Sequence, residues 1–209
     1  MNKKARTVLE AARTVFLAHG FSAATTDMIQ QQAGVSKSTV YAHYANKEAL
    51  FLAVMEAECT GFMNHMRTVE YRPGALRETL SDLARTYLEI ALAPSSLALF
   101  RVITAEAPRF PELARSFYLT GPRMVQGMLA RQLERAAQAG EVELSTIGVD
   151  AAASLFANLA RAEAHLQCLF HPDARPSAAQ IDQWVDIAVT TFLRAYGRKE
   201  GPAPAGLAA

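Results

Sequence analysis

A chain of 209 residues that is 51% apolar has ample material for a buried core, and a formal net charge of +1 names no partner for it. Its two cysteines, Cys59 and Cys168, lie far apart and in no Cys-x-x-Cys arrangement, which argues against a disulfide framework and for a reducing cytoplasm. No stretch approaches the ~18 uninterrupted apolar residues of a membrane span, and MNKKARTVLEAARTVF at the N-terminus has no apolar run of signal length, so the chain reads as soluble, with no membrane partner.

Helical periodicity runs almost throughout and no alternating run is flanked by hairpin turns, so the fold class is all-α, with about nine helices. Residues 3–19 carry Val8, Ala12, Val15 and Phe16 on one face and stop at Gly20. Residues 26–33 form a short helix with Met28, Ile29 and Ala33 inward, stopped at Gly34, and residues 37–43 form another. A fourth helix starts at Asn46, an N-cap with Glu48 in the first turn, and runs to about Arg67. Its stripe of Phe51, Met55, Cys59, Phe62 and Met66 recurs at helical spacing. Pro73-Gly74 interrupts the chain; Leu76, Leu80, Leu83, Tyr87 and Ile90 define a fifth helix that ends before Pro94. Helices over 95–106, 112–118 and 122–138 follow, broken at Pro108, Pro111 and Gly140. GEVELSTIG is a loop, and helices over 149–170 and 178–196 close the body. The organisation is a three-helix module over 1–46, a larger helical body over 47–197, and a Gly/Pro/Ala-rich tail over 198–209 expected to be disordered.

The two short helices meet at Gly34, which can take positive φ without steric cost, and Ser36 can cap the second of them. This is the helix–tight turn–helix layout that places its second helix in the major groove of DNA. Residues 28–47 contain no Asp or Glu but hold Lys37, His43, Lys47 and several hydroxyls, a surface suited to phosphate contact. Residues 1–50 carry six Lys/Arg against three acids, while the rest of the chain is net acidic, which points the same way.

TTDMIQQQAGVSKSTVYAHYANKEALFLAV, preceded by ARTVFLAHGFSAAT, resembles the DNA-binding signature of the TetR family of bacterial repressors over about residues 5–55. The resemblance implies double-stranded operator DNA as partner. Thr25 or Thr26 would hold a phosphate at the start of the second helix, Ser36, Lys37, Ser38 and Thr39 would be among the DNA-binding residues on or beside the recognition helix, and Lys37 and Ser38 would approach base edges. Tyr41 and His43 would take phosphates, Lys47 would clamp another, and Val40 and Tyr44 would face inward. FRVITAEAPRFPELARSFYLTGP resembles the C-terminal domain of the AefR-like subgroup, whose members often control efflux or transport genes.

A small helix-turn-helix reads few bases, so such modules pair across a two-fold axis to read half-sites ~34–36 Å apart. The helix over 149–170 is apolar along two rows, one through Phe156 and Leu159, another through Leu155, Leu159, Ala162 and Leu166; the last helix carries Trp184, Ala188 and Phe192. From these we expect a homodimer through Phe156, Leu159, Leu166, Trp184, Ala188 and Phe192, as a four-helix bundle of the TetR kind. Phe62, Met66, Tyr87, Phe100, Phe117, Met124 and Met128 are the expected walls of a pocket for a small apolar or amphipathic effector. Control by a protein partner or by cysteine oxidation is the alternative. No nucleophile elbow, phosphate-cradling glycine loop, His-Glu-x-x-His or metal-spaced Cys/His cluster is present, so neither enzyme, cofactor nor metal is expected. His165, Cys168 and His171 step by three, which slips them off a common tight face.

Overall fold

The computed structural model describes residues 2–198, without the side chains of Phe62 and His65. Ten helices account for its regular structure among the described residues: α1 (Lys3–Ala23), α2 (Thr26–Ala33), α3 (Lys37–His43), α4 (Lys47–Met66), α5 (Leu76–Ala91), α6 (Pro94–Glu106), α7 (Pro111–Thr120), α8 (Pro122–Gln138), α9 (Val149–Phe170) and α10 (Ala178–Tyr196). The segments read from the sequence coincide with these helices to within a few residues. The tail proposed over 198–209 falls, from residue 199 on, outside the described residues.

Local chemistry sets the boundaries. Pro94, Pro111 and Pro122 each occupy the first turn of a helix, where the missing N–H has no intrahelical partner to lose. Ser177 opens α10 with a full capping box to Gln180. Gly20, at φ 77° and ψ 172°, breaks α1, so the stop anticipated there is a kink followed by a short continuation to Ala23. Gly34 takes the left-handed conformation, φ 63° and ψ 33°, that ends α2.

Two apolar cores form. The N-terminal core joins α1, α2, α3 and the first half of α4, and its centre is aromatic. Phe51 sits 4.9 Å from Phe16 and 5.0 Å from Phe21, centroid to centroid, and Phe21 meets Phe110 edge-on at 4.7 Å. Leu99, Val102 and Ile103 of α6 and Leu113 of α7 complete it, so the core of the N-terminal module extends past residue 46 into the body. The second core lies between α5, α8, α9 and α10. Its α9 face is built on Ala152, Ala153, Ala157, Ala160 and Ala164, small residues that let neighbouring helices approach closely.

This second core corrects part of the expected interface. Phe156, Ala188 and Phe192 are fully buried within a single chain, and the Phe156 and Phe192 rings meet each other at 5.2 Å. They are core residues, because the alanine-lined face of α9 turns toward α8 and α10. Leu159 and Trp184 are partly buried beside that core, and Leu166 is 52% exposed. The outer face of α9 carries Leu155, Leu166 and Phe170, and that of α10 carries Ile187, all exposed. Among the described residues no single helix is long and apolar enough to cross a membrane.

Phe156→Ala removes a fully buried ring from the second core and should cost about 3–5 kcal/mol. Urea unfolding checks this, and a core role requires the loss to be the same at every protein concentration.

Candidate DNA-binding surface and effector cavity

The helix-turn-helix is held by its own side chains. Thr25 caps α2, its hydroxyl oxygen accepting from the Met28 amide at 3.2 Å, which leaves the hydroxyl proton free to donate outward. Ser36 caps α3 by accepting from the Thr39 amide, and its Oγ also lies 2.8 Å from Ser38 Oγ and 2.9 Å from Thr39 Oγ1. Thr26 Oγ1 and the Tyr41 hydroxyl stand 3.3 Å apart, bridging the two helices at their exposed surface.

Val40 is buried and anchors α3 inward, while the Tyr44 hydroxyl donates to the Ala5 carbonyl at 3.3 Å. Residues two positions either side of Val40 lie opposite it on the helix, and these are Ser38 and Ala42, both exposed. Ala42 was missed from sequence because no polar group marks it; its place opposite the buried Val40 is the signal that finds it. Tyr41 is exposed and Thr39 half-buried on the flanks. His43 is half-buried in the last turn. Lys37 is exposed, and its Nζ pairs with Asp27 Oδ1 at 3.0 Å, so an acid from the start of α2 holds the amine nearest the reading face.

Lys47 makes backbone contacts that its sequence neighbours do not announce. Its ammonium donates to the carbonyls of Phe21 (2.9 Å), Ala24 (3.0 Å) and Ser22 (3.3 Å) and stands 4.6 Å over the Phe21 ring. Three N–H groups meet three carbonyls, so the charge faces into the α1–α2 turn. Glu106, at the end of α6, accepts from the Ser22 amide at 2.7 Å and the Ser22 hydroxyl at 2.6 Å, and Arg109 Nη1 donates to the same hydroxyl at 3.1 Å. Burial works to raise the Glu106 carboxyl, but the two Ser22 donors, with Arg109 and Lys47, outweigh it and hold the group below the ordinary range.

A cavity of ≈ 80 Å³ lies between α4, α5, α6, α7, α8 and α9. Met66, Tyr87, Phe100 and Phe117 of the expected residues line it. The Phe62 side chain lies outside the described residues. Met124 is exposed on α8, beside a separate surface recess, and Met128 packs into the second core. The sequence could not separate these two from the cavity, because α8 presents a different face to each environment. Met63, Cys59, Ser96, Arg161 and His165 also line the cavity. The Phe100 ring meets the His165 ring edge-on at 4.6 Å and the Phe117 ring at 6.3 Å. Burial, then the charges of Arg161 and Arg101, push the His165 pKa down to about 4. Cys59 and Cys168 are buried, free thiols, and burial pushes both thiols up, away from the reactive thiolate.

Residues 8–54 match the family model described as bacterial regulatory proteins, tetR family, and residues 78–198 match that of the AefR-like transcriptional repressor, C-terminal domain. A TetR-family regulator from Mesorhizobium loti superposes with a TM-score of 0.85 at 26% identity, over 94% of this chain and 98% of that one. The flavonoid-responsive regulator FrrA superposes at 0.78 with 34% identity, over the same shares of the two chains. The transcriptional activator FasR of Mycolicibacterium smegmatis is 30% identical over 56% of this chain and 48% of its own length. The matched stretches span less than half the length of the curated sequence relatives. The fold and the reading head thus define a helix-turn-helix transcriptional regulator. The chain belongs to the TetR family, whose members are non-enzymatic DNA-binding proteins that typically bind operators as homodimers.

Two measurements check the geometry. Lys47→Met keeps the apolar stem and removes the three hydrogen bonds; it should lower unfolding stability by about 2 kcal/mol while leaving the salt dependence of DNA binding unchanged. A salt slope flattened by about one phosphate would restore the clamping role. His165 has a folded pKa of about 4 against an ordinary 6.5, so the unfolded chain binds the extra proton first. Its contribution is complete above pH 6.5 and is lost as pH falls toward 4. Denaturant unfolding should show up to about 3 kcal/mol less acid loss in His165→Gln than in the wild type.

Proposed function

We propose that the chain is a cytoplasmic repressor that binds a palindromic operator as a homodimer and is released by a small aromatic effector. What carries this reading is that α4 and α6 serve two sites at once. Phe51 and Met55 of α4, and Leu99 and Ile103 of α6, pack in the core that holds the reading head. Cys59, Met63 and Met66 of the same α4, and Ser96 and Phe100 of the same α6, line the cavity. A molecule that spreads those walls must bind the spread conformation more tightly than the DNA-competent one, and only that difference shifts the population.

The DNA face in this reading is Ser38, Ala42 and Thr39 toward bases, with Thr25, Thr26, Tyr41 and His43 toward phosphates. Lys37 exchanges Asp27 for DNA, and Ser36 shapes the turn without touching the duplex. Ala42 offers a methyl contact to thymine. The dimer face is the exposed apolar row of Leu155, Leu166 and Phe170 with Ile187, flanked by Leu159 and Trp184. An uncovered row of this kind is what a two-fold partner would bury. FrrA, 34% identical, is named as flavonoid-responsive, which supports an aromatic effector here. The AefR-like match supports a repressor, and an efflux or transport operon is the target class we assign.

The test uses the DNA flanking the gene in a fluorescence anisotropy titration, with sedimentation on the same samples. The wild type should sediment as a dimer, bind with a Kd below micromolar, and weaken at least about tenfold when a panel flavonoid is added. Leu166→Glu with Ile187→Glu should sediment as a monomer and lose operator binding. A double variant that stays dimeric, or a panel in which no compound moves the titration, overturns the reading.

A further inference from the structure

The cavity wall is apolar except for one cluster. Arg161 of α9 reaches it, along with His165 one turn later, the Ser96 hydroxyl of α6 and the Tyr87 ring of α5. Arg161 has no carboxylate and no hydrogen-bond acceptor among the described residues; its guanidinium stands only over the Phe100 ring, 5.9 Å from the centroid. The other nearby arginine is spent differently. Arg101 Nη2 donates to the carbonyls of Cys168 (2.8 Å) and Leu169 (3.0 Å), where it closes the end of α9. Glu163, two residues after Arg161, is exposed on another face of the helix. Ser96 Oγ is buried with no partner. A half-buried cation and a residue with an orphaned hydroxyl therefore line the same apolar space, and both groups lack an acceptor.

We infer that this cavity takes an aromatic anion, a compact ring whose acidic group pairs with Arg161 and accepts from the Ser96 hydroxyl. This rests on the effector reading above and names the chemistry of its ligand. A planar carboxylate matches the fork of a guanidinium, and a low-dielectric wall strengthens that pair. The ring has its own place. Phe100, Phe117 and His165 already meet edge-on, an arrangement that accepts another flat ring against its faces. The available volume, ≈ 80 Å³, is smaller than the ~150 Å³ of a cavity that holds benzene, so the thioether side chains of Met63 and Met66 must give way to admit the ring. His165 is neutral at physiological pH, so it adds a hydrogen-bonding edge and no second charge, and Arg161 alone selects the anion.

The probes are cinnamate and cinnamamide, which share one ring and one shape and differ in charge. Calorimetric titration into the purified full chain at neutral pH should give cinnamate at least about tenfold tighter binding than the amide. Arg161→Met should abolish that preference, weakening the acid far more than the amide, and Arg161→Lys should keep part of it. Ser96→Ala should weaken cinnamate about threefold and the amide by less. It also decides the matter if Arg161→Met fails to fold, since an unaltered cinnamate affinity in Ser96→Ala counts against the inference. Equal binding of acid and amide, a preference that survives Arg161→Met, or no binding of either at millimolar concentration overturns it. Anisotropy on the operator separates the two readings. If cinnamate binds through Arg161 and DNA binding does not move, the effector reading fails and this one stands. If the amide binds equally and releases DNA, the reverse holds.

Discussion

The position of the reading head depends on one polar knot, the Lys47 ammonium set among the carbonyls of Phe21, Ser22 and Ala24. The chain leaves α1 through the kink at Gly20, and the turn that follows has carbonyls that no helix satisfies. A single amine from the first turn of α4 gathers three of them. Ser22 then hands its amide and hydroxyl to Glu106, at the end of α6. The start of α2 is thereby tied to α4 and α6 through charged hydrogen bonds, those from Lys47 to Phe21 and Ala24 partly buried and so stronger than at an open surface. The aromatic cluster of Phe16, Phe21, Phe51 and Phe110 lies directly beneath and keeps water from the backbone.

Much of this architecture was legible in the sequence because it is written in local chemistry. Gly34 and Ser36 mark the turn, the prolines mark the starts of α6, α7 and α8, and the periodic apolar positions mark the inner faces. The motif residues over 8–54 fall in one order that a family model matches. The contacts that stay hidden in the sequence are those whose partners are remote. Nothing within a few positions of Lys47 reveals that carbonyls 23–26 residues earlier will claim its amine.

The long helix α9 shows a second limit. Its two apolar rows share Leu159, and periodicity cannot say which row meets the chain's own helices. Close packing decides it: α8 and α10 approach over alanines, Phe156 goes inward, and the leucine row is left outside. Arg161 and His165 could not be assigned to a cavity wall for the same reason. On the helix they are ordinary polar interruptions, and only the arrival of α6 beside α9 turns them into part of a wall.

The sharing of Leu99, Val102, Ile103 and Leu113 with the N-terminal core bears on how such proteins exchange parts. A reading head cut at residue 46 and joined to another body would arrive without the α6 and α7 surface that seals its aromatic centre. The recipient would have to supply leucine- and isoleucine-sized groups at matching positions and a carboxylate to meet Ser22. Specificity for DNA is therefore inherited here together with a piece of the body. Recombination that respects this unit must carry the end of α6 along with the helix-turn-helix, though more than fifty residues separate them in the chain.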